Sequence, residues 1–274
     1  MPLDDLGEPV PVTGTARRVV SLVPSLTEAL ATALPEALVG ATDWCTHPTD
    51  LSVVRVRGTK NPDLARIREL HPDLVVANQE ENRRLDVDRL RASGIPVWVT
   101  RIETLDEAFT SLGRLFHEGL SWPLPAWLDE AAELFRAPVA GPGASVVVPV
   151  WRDPWMAVGP RTFTSDLLAR VGLTNVVPDG PSRYPSLGPA ELRDLAPDLV
   201  LLPDEPYVFT AADGPDAFPG QEHRLVSGRL LTWYGPSLVE AHAVLHALRT
   251  GAVEEEASSQ NLLGCPSIFS RMSY

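Results

Sequence analysis

Residues 67–78, IRELHPDLVVAN, recur as residues 192–203, LRDLAPDLVLLP, and this pair decides the fold. Pro72 falls on Pro197, an offset of 197 − 72 = 125 residues. Each copy passes from a helical stretch through Pro-Asp into a short apolar run. Such a run is too short for a helix and lacks polar alternation, so it reads as a strand buried on both faces in a parallel sheet. An internal echo at a fixed offset means one structural plan used twice.

Outward from the first copy, VVSLV (19–23), LVGAT (38–42) and PVWVT (96–100) repeat the strand signal. SLTEALATAL (25–34), DLARIREL (63–70) and DVDRLRAS (86–93) carry helical period between them, with Ser25 or Thr27 able to cap the first. Around the second copy, SVVVPV (145–150), WMAVG (155–159), TFTSDLLARVG (162–172), PAELRDL (189–195) and SLVEAHAVLHALRTG (237–251) extend the same alternation. TLDEAFTSLGRLFHEGL (104–120) and AWLDEAAELFRA (126–137) lie between the halves. The prolines of SWPLP (121–125) interrupt them, because each removes a backbone donor and clashes with the preceding turn. The expected organisation is an α/β lobe over 15–102, a helical connector over 103–140, a second α/β lobe over 141–252 and a tail over 253–274. Both lobes are three-layered with parallel sheets, and the cleft between them is the natural ligand site.

The 274 residues are 44% hydrophobic, ample for a large core. Thirty-six acidic against 23 basic side chains give a formal charge of −13, a field that repels nucleic acid and anionic lipid. No apolar stretch reaches the length of a membrane span, so membrane insertion is not expected. Two distant cysteines, Cys45 and Cys265, argue for free thiols in a reducing compartment. The start, MPLDDLGEPVPVTGTARR, has acids and prolines where a signal peptide needs a basic start and an apolar run. A cytoplasmic protein is expected on these grounds.

RVVSLVPSLTEAL (18–30), LVGATDWCTHP (38–48), GTKNPDLARIRELHPDLVVANQEEN (58–82), WMAVGPRTFTSDLLARVGLTNVV (155–177) and TWYGP (232–236) occur in one order. Together they resemble the helical-backbone metal-receptor family, class III solute-binding proteins of cobalamin, heme and siderophore importers, over about residues 17–250. The resemblance implies a non-catalytic binder of a small-molecule metal chelate, a corrinoid such as cobalamin first and heme or a ferric siderophore otherwise, with no catalytic cofactor. It also implies that exported members dock on their importer through a glutamate on each lobe. Those two positions fall on Ala65 and Ala190 here, again 190 − 65 = 125 apart, so docking on an importer is not expected. A register error of one would restore Glu191 in the second lobe and offer Asp63 in the first.

The candidate site residues lie at strand ends, where open α/β sheets place ligands. DWCTHP (43–48) brings Trp44, Cys45 and His47, and in an extended segment Cys45 and His47 share a face. That pair could ligate a soft metal, touch the metal of a chelate, or simply line a pocket. ANQEEN (77–82) brings Glu80, Glu81 and Asn82, with Lys60 nearby in GTKNPD; the acids could bind ligand or merely start a helix. Trp151, Arg152, Trp155, Arg183, Tyr184, Tyr207, Trp233 and Tyr234 form an aromatic and basic set in the second lobe, beside Glu205 and Phe209. It is suited to a flat macrocycle with anionic substituents, or to packing between lobes. His242 and His246 read as a helix face rather than a ligand pair. Two rival functions stay open, an exported importer receptor with an unrecognised signal, and a metallochaperone or enzyme using Cys45 and His47 with Glu80 or Glu81 as acid or base.

Overall fold

The computed structural model describes residues 1–250. The expected tail over 253–274 and Cys265 lie outside them. The first lobe is a five-stranded, wholly parallel sheet of order β3-β2-β1-β6-β7, formed by β1 (Val19–Ser21), β2 (Leu38–Ala41), β3 (Val54–Arg55), β6 (Leu74–Asn78) and β7 (Val97–Thr100). Between β3 and β6 a small antiparallel ribbon pairs β4 (Arg57–Gly58) with β5 (Asn61–Pro62). The crossovers are α1 (Pro24–Ala33), α2 (Leu64–Glu69) and α3 (Arg84–Ala92).

Two further helices follow, α4 (Leu105–Arg114), prolonged by a π-helical turn over Leu115–Leu120, and α5 (Ala126–Arg136). The turn closes on Ser121 in the left-handed region, just before the two prolines. Gly119 is required there, since a Cβ on it would stand 2.8 Å from the ring of Trp98.

The second lobe is a four-stranded parallel sheet of order β11-β8-β12-β13, from β8 (Ala144–Val147), β11 (Leu173–Asn175), β12 (Leu199–Pro203) and β13 (His223–Val226). WMAVG does not give a full strand: only β10 (Met156–Ala157) forms, hairpinned on β9 (Pro149–Trp151). The helices are α6 (Phe163–Arg170), α7 (Pro189–Asp194), α8 (Gly228–Thr232) and α9 (Ser237–Thr250).

Side-chain alternation sorts the strands into two faces. Val19, Leu74, Val76 and Trp98 of the first sheet share one continuous core with Val146, Leu199 and Leu201 of the second, through α1, α4, α5, α6, α8 and α9. The opposite faces, Val20, Val75 and Val97 in one lobe and Val147, Val200 and Leu202 in the other, pack separately beneath α2 with α3, and beneath α7. A core that runs through both lobes holds them as one body.

The first helix departs from its expected cap. Its N-cap is Val23, and Ser25 and Thr27 lie buried inside it. Pro24 at the first helical position, with its φ already helical and no N–H to satisfy, starts the helix two residues earlier. Residues at the N-terminus cover the free edge of β7: the buried Asp4 accepts from Arg91 at 2.6 Å and from the Val99 amide at 3.3 Å, while Asp5 pairs with Arg114 at 2.7 Å. An edge strand covered in this way offers no unpaired amides to another chain.

Candidate functional site

The carboxyl ends of β6 and β12 face the junction of the lobes, and the 125-residue echo continues into their loops. Asn78 corresponds to Pro203, Glu80 to Glu205 and Asn82 to Tyr207 (203 − 78 = 205 − 80 = 207 − 82 = 125). In the first lobe the loop is held by asparagines. Asn78 Oδ1 accepts from the amides of Glu80 at 2.8 Å and Glu81 at 3.3 Å, an Asx turn. Asn82 Oδ1 accepts from the Asn78 amide at 2.8 Å, while its Nδ2 donates to the carbonyls of Thr59 at 3.0 Å and Leu22 at 3.3 Å. Asn82, expected to face ligand, is buried and spends its hydrogen bonds on backbone.

This loop presents Glu81. Burial first, then the neighbouring Glu80, pushes its carboxyl up to about 7, and Lys60 offsets part of the effect. Lys60 itself donates to the Glu80 carbonyl. Across the junction burial, then Asp204, raises Glu205 to about 7 as well. Glu205 is pressed against Gly228, where a Cβ would come within 2.3 Å of its Cγ.

Two ion pairs join the lobes. Glu28 of α1 is nearly buried and accepts from Arg229 of α8 at 2.6 and 2.8 Å, and Arg229 also reaches Glu240 at 2.9 Å. At the rim, Arg183 reaches Glu80 at 3.1 Å and Glu103 at 3.5 Å. A pocket of about 210 Å³ opens beside that rim pair, lined by Asn78, Gln79, Glu80, Arg101, Ile102, Glu103 and Arg183.

DWCTHP splits its two candidate ligands. Cys45 is fully buried inside the first lobe, where the Thr27 hydroxyl donates to its sulfur at 2.9 Å and Thr42 lies at 3.1 Å. Burial pushes the thiol up, so it is neither a thiolate nor turned to the cleft. His47 instead stands edge-on to Trp233 of the second lobe, ring centroids 5.4 Å apart. Burial, then Arg229, lowers its pKa, which keeps the imidazole neutral. Among the described residues no three His, Cys, Asp or Glu side chains gather as a metal cluster. The expected Cys45–His47 pair is therefore not a preformed metal site: after Cys45 the chain turns, so that Cys45 is buried between Thr27 and Thr42 while half-buried His47 meets Trp233. Trp44, on the same loop, is about half exposed.

The second-lobe aromatics also divide. Trp233 and Tyr234 are buried at the junction, with Tyr234 packed edge-on against Phe163 at 5.6 Å, and Tyr184 packs partly buried on the shared core. Trp155 instead stacks on Phe209 and meets Phe218, all inside the second lobe's own cluster. Trp151 packs edge-on to Tyr207, whose hydroxyl donates to Asp213 at 2.6 Å. Arg152 lies over the Trp155 ring and pairs with Asp213 and Asp216, so it is committed within the lobe rather than offered to a ligand carboxylate. His242 and His246 stack on the helix face beside Phe135.

Glu28, Arg229 and Ser25 reach the junction without being among the residues the sequence points to. One signal is present for Glu28: it is the only charged residue of the helix Pro24–Ala33, and a buried acid has to find a cation. Arg229, in GRLLTW, had no comparable mark. Ala65 and Ala190 are both exposed, on α2 and α7, and Glu191 closes the N-terminal turn of α7 by accepting from the Gly188 amide at 2.7 Å.

No family model matches the chain. A vitamin B12-binding protein of Pectobacterium carotovorum is 25% identical over 199 residues, 69% of this chain and 72% of that protein. The periplasmic vitamin B12 binding protein BtuF of Vibrio cholerae superposes with a TM-score of 0.68 at 18% identity, over 85% of this chain and 96% of its own. A periplasmic heme-binding protein of Pseudomonas aeruginosa gives 0.70 at 20% identity, over 87% and 94%. These structures share the two-lobed fold. They also overturn the cytoplasmic expectation, because both are periplasmic proteins and the relationship favours export. Among the described residues no helix is long and apolar enough to cross a membrane.

Proposed function

We propose that this chain, related in sequence and fold to the class III solute-binding proteins of the cobalamin, heme and siderophore type, captures a metal chelate between its lobes, a corrinoid in the first place. The observation that carries the reading is the meeting of the two strand-end loops, with Glu81 and His47 on one side and Glu205, Trp233 and Tyr234 on the other. Parallel sheets bind ligands at that end. The relatives named above are binding proteins and not enzymes, and the reading assigns the site to clamping rather than to a reaction.

Each group has a role in this reading. Trp233 supplies flat surface at the floor, and His47, neutral and half-buried, is the nitrogen donor placed to approach a chelated metal. Cys45 shapes the loop from behind. Arg183 spans the rim to Glu80 and Glu103, beside the pocket of about 210 Å³, and in this reading it leaves them when a macrocycle enters.

The test is a titration of the purified chain with hydroxocobalamin, hemin, a ferric siderophore and zinc, followed by tryptophan quenching and the visible spectrum. Micromolar or tighter binding of the corrinoid is expected, with a visible band that moves in His47→Ala. Binding of zinc alone would replace the reading with that of a metal-ion carrier, and binding of none of the four would end it.

A further inference from the structure

The floor of the junction holds two carboxyls that no ion pair among the described residues neutralises, Lys60 and Arg229 offsetting them only in part. Glu81 and Glu205, one from each lobe, belong to no ion pair among the described residues, and Glu205 Oε1 is buried without a partner. The cations nearby are spoken for. Arg229 serves Glu28 and Glu240, Arg183 serves Glu80 and Glu103, and Lys60 holds the Glu80 carbonyl. Two buried hydroxyls beside these acids are also unsatisfied. Tyr234 is 6% exposed and feels the charge of Glu81 and Glu80; its OH faces the hydroxyls of Ser25, 2% exposed, and Thr100, but neither Tyr234 OH nor Ser25 Oγ closes a hydrogen bond of good geometry. Buried polar atoms without partners are costly and rare, and at a cleft they mark where a ligand completes the network.

The chemistry of the four groups is one-sided. Ionised, as at pH 8, the two carboxylates only accept hydrogen bonds and repel an incoming carboxylate, while the two hydroxyls can accept from N–H donors and donate to the carboxylates. We propose that Glu81, Glu205, Tyr234 and Ser25 form a subsite for the carboxamide or ammonium substituents of a chelate, and that the cleft rejects chelates whose rim carries carboxylates. The inference rests on the chelate-binding reading above and narrows it to the amidated class.

Two corrins decide the matter, cobinamide and cobyrinic acid, the second bearing carboxylates where the first has carboxamides and one aminopropanol amide. Both lack the nucleotide, and both are used as dicyano forms so that no protein side chain ligates the metal. At pH 8, cobinamide is expected to bind the full chain at least about tenfold more tightly, as expected for like charges brought together in a desolvated site. In Glu81→Gln/Glu205→Gln the ratio is expected to fall below about threefold, chiefly through tighter binding of the acid. Equal or tighter binding of cobyrinic acid to the unaltered chain would overturn the subsite while leaving the corrinoid reading in place, as would a ratio unchanged in a double variant whose circular dichroism is native. Binding of neither corrin would overturn the corrinoid reading and the subsite together.

Discussion

The two ion pairs that join the lobes are alike in chemistry and opposite in setting. Glu28–Arg229 sits at the floor, its side chains 8% and 20% exposed; Glu80–Arg183 sits at the rim, 41% and 29% exposed. A pair removed from water cannot lose one member without leaving a stranded charge, whereas an exposed pair exchanges its partner for solvent at little cost. The floor pair therefore belongs to the fold and the rim pair to access. Lobe motion in this chain is accordingly a matter of rim side chains more than of a wide hinge, since the shared core also runs beneath the floor.

The comparison breaks most visibly at Arg229. Arg229→Ala leaves Glu28 buried and unpaired and is expected to cost about 3–5 kcal/mol in urea unfolding, while Glu28→Leu/Arg229→Met recovers most of the loss. A single-variant cost no larger than that of Arg183→Ala would erase the distinction between floor and rim.

The acids between the pairs sharpen it through pH. Glu81 and Glu205 have folded pKa values raised to about 7, above those of an unfolded chain. Their protonated forms are favoured in the fold, so the stability they contribute is full below about pH 4.3 and is lost as pH rises through about 7. Compared with Glu81→Gln/Glu205→Gln, the unaltered chain is expected to lose roughly 2 kcal/mol more between pH 5 and pH 8, the two carboxyls titrating as a coupled pair. Using the difference between the chains removes His47, whose lowered pKa acts in the opposite direction at acid pH. Parallel pH profiles for the two proteins would show that the acids are solvated.

Cys45→Ala tests the loop behind the floor. Removing a buried sulfur that fills a small space between Thr27 and Thr42 is expected to cost about 1 kcal/mol and to leave zinc affinity unchanged. A large fall in zinc affinity by calorimetry would return Cys45 to the metal. The smallest effect on stability belongs to Arg183→Ala, under about 1 kcal/mol, together with faster association of chelate in stopped-flow quenching. Slower association with lost affinity would make Arg183 a ligand contact and not a closure.

Much of this was legible in the chain. The Pro-Asp echo gave two parallel-sheet lobes because a buried strand needs a continuous apolar run, and Pro-Asp before it recurs where the helix has to stop. The strand-end position of Glu81 followed from the same pattern. The sequence misled where a side chain's direction depends on a turn: Cys45 and His47, one residue apart, diverge, and Asn82 points back at Leu22 and Thr59. Composition also left the aromatics undecided, since Trp151, Trp155 and Tyr207 pack half-buried against one another and against Phe209, Phe218 and Asp213 within one lobe.

The sequence by itself determined the repeated α/β plan, the acidic charge and the loops from which a site could be built, because these depend on periodicity and composition, which are local. Only the tertiary structure decided which of those loops meet. That Glu28 finds Arg229 201 positions away, that His47 finds Trp233, and that Glu81 and Glu205 face one junction without an ion pair among the described residues follows from how two sheets share one core. Long-range pairing of this kind has no signature in local spacing; it is set by the packing that brings distant helices together.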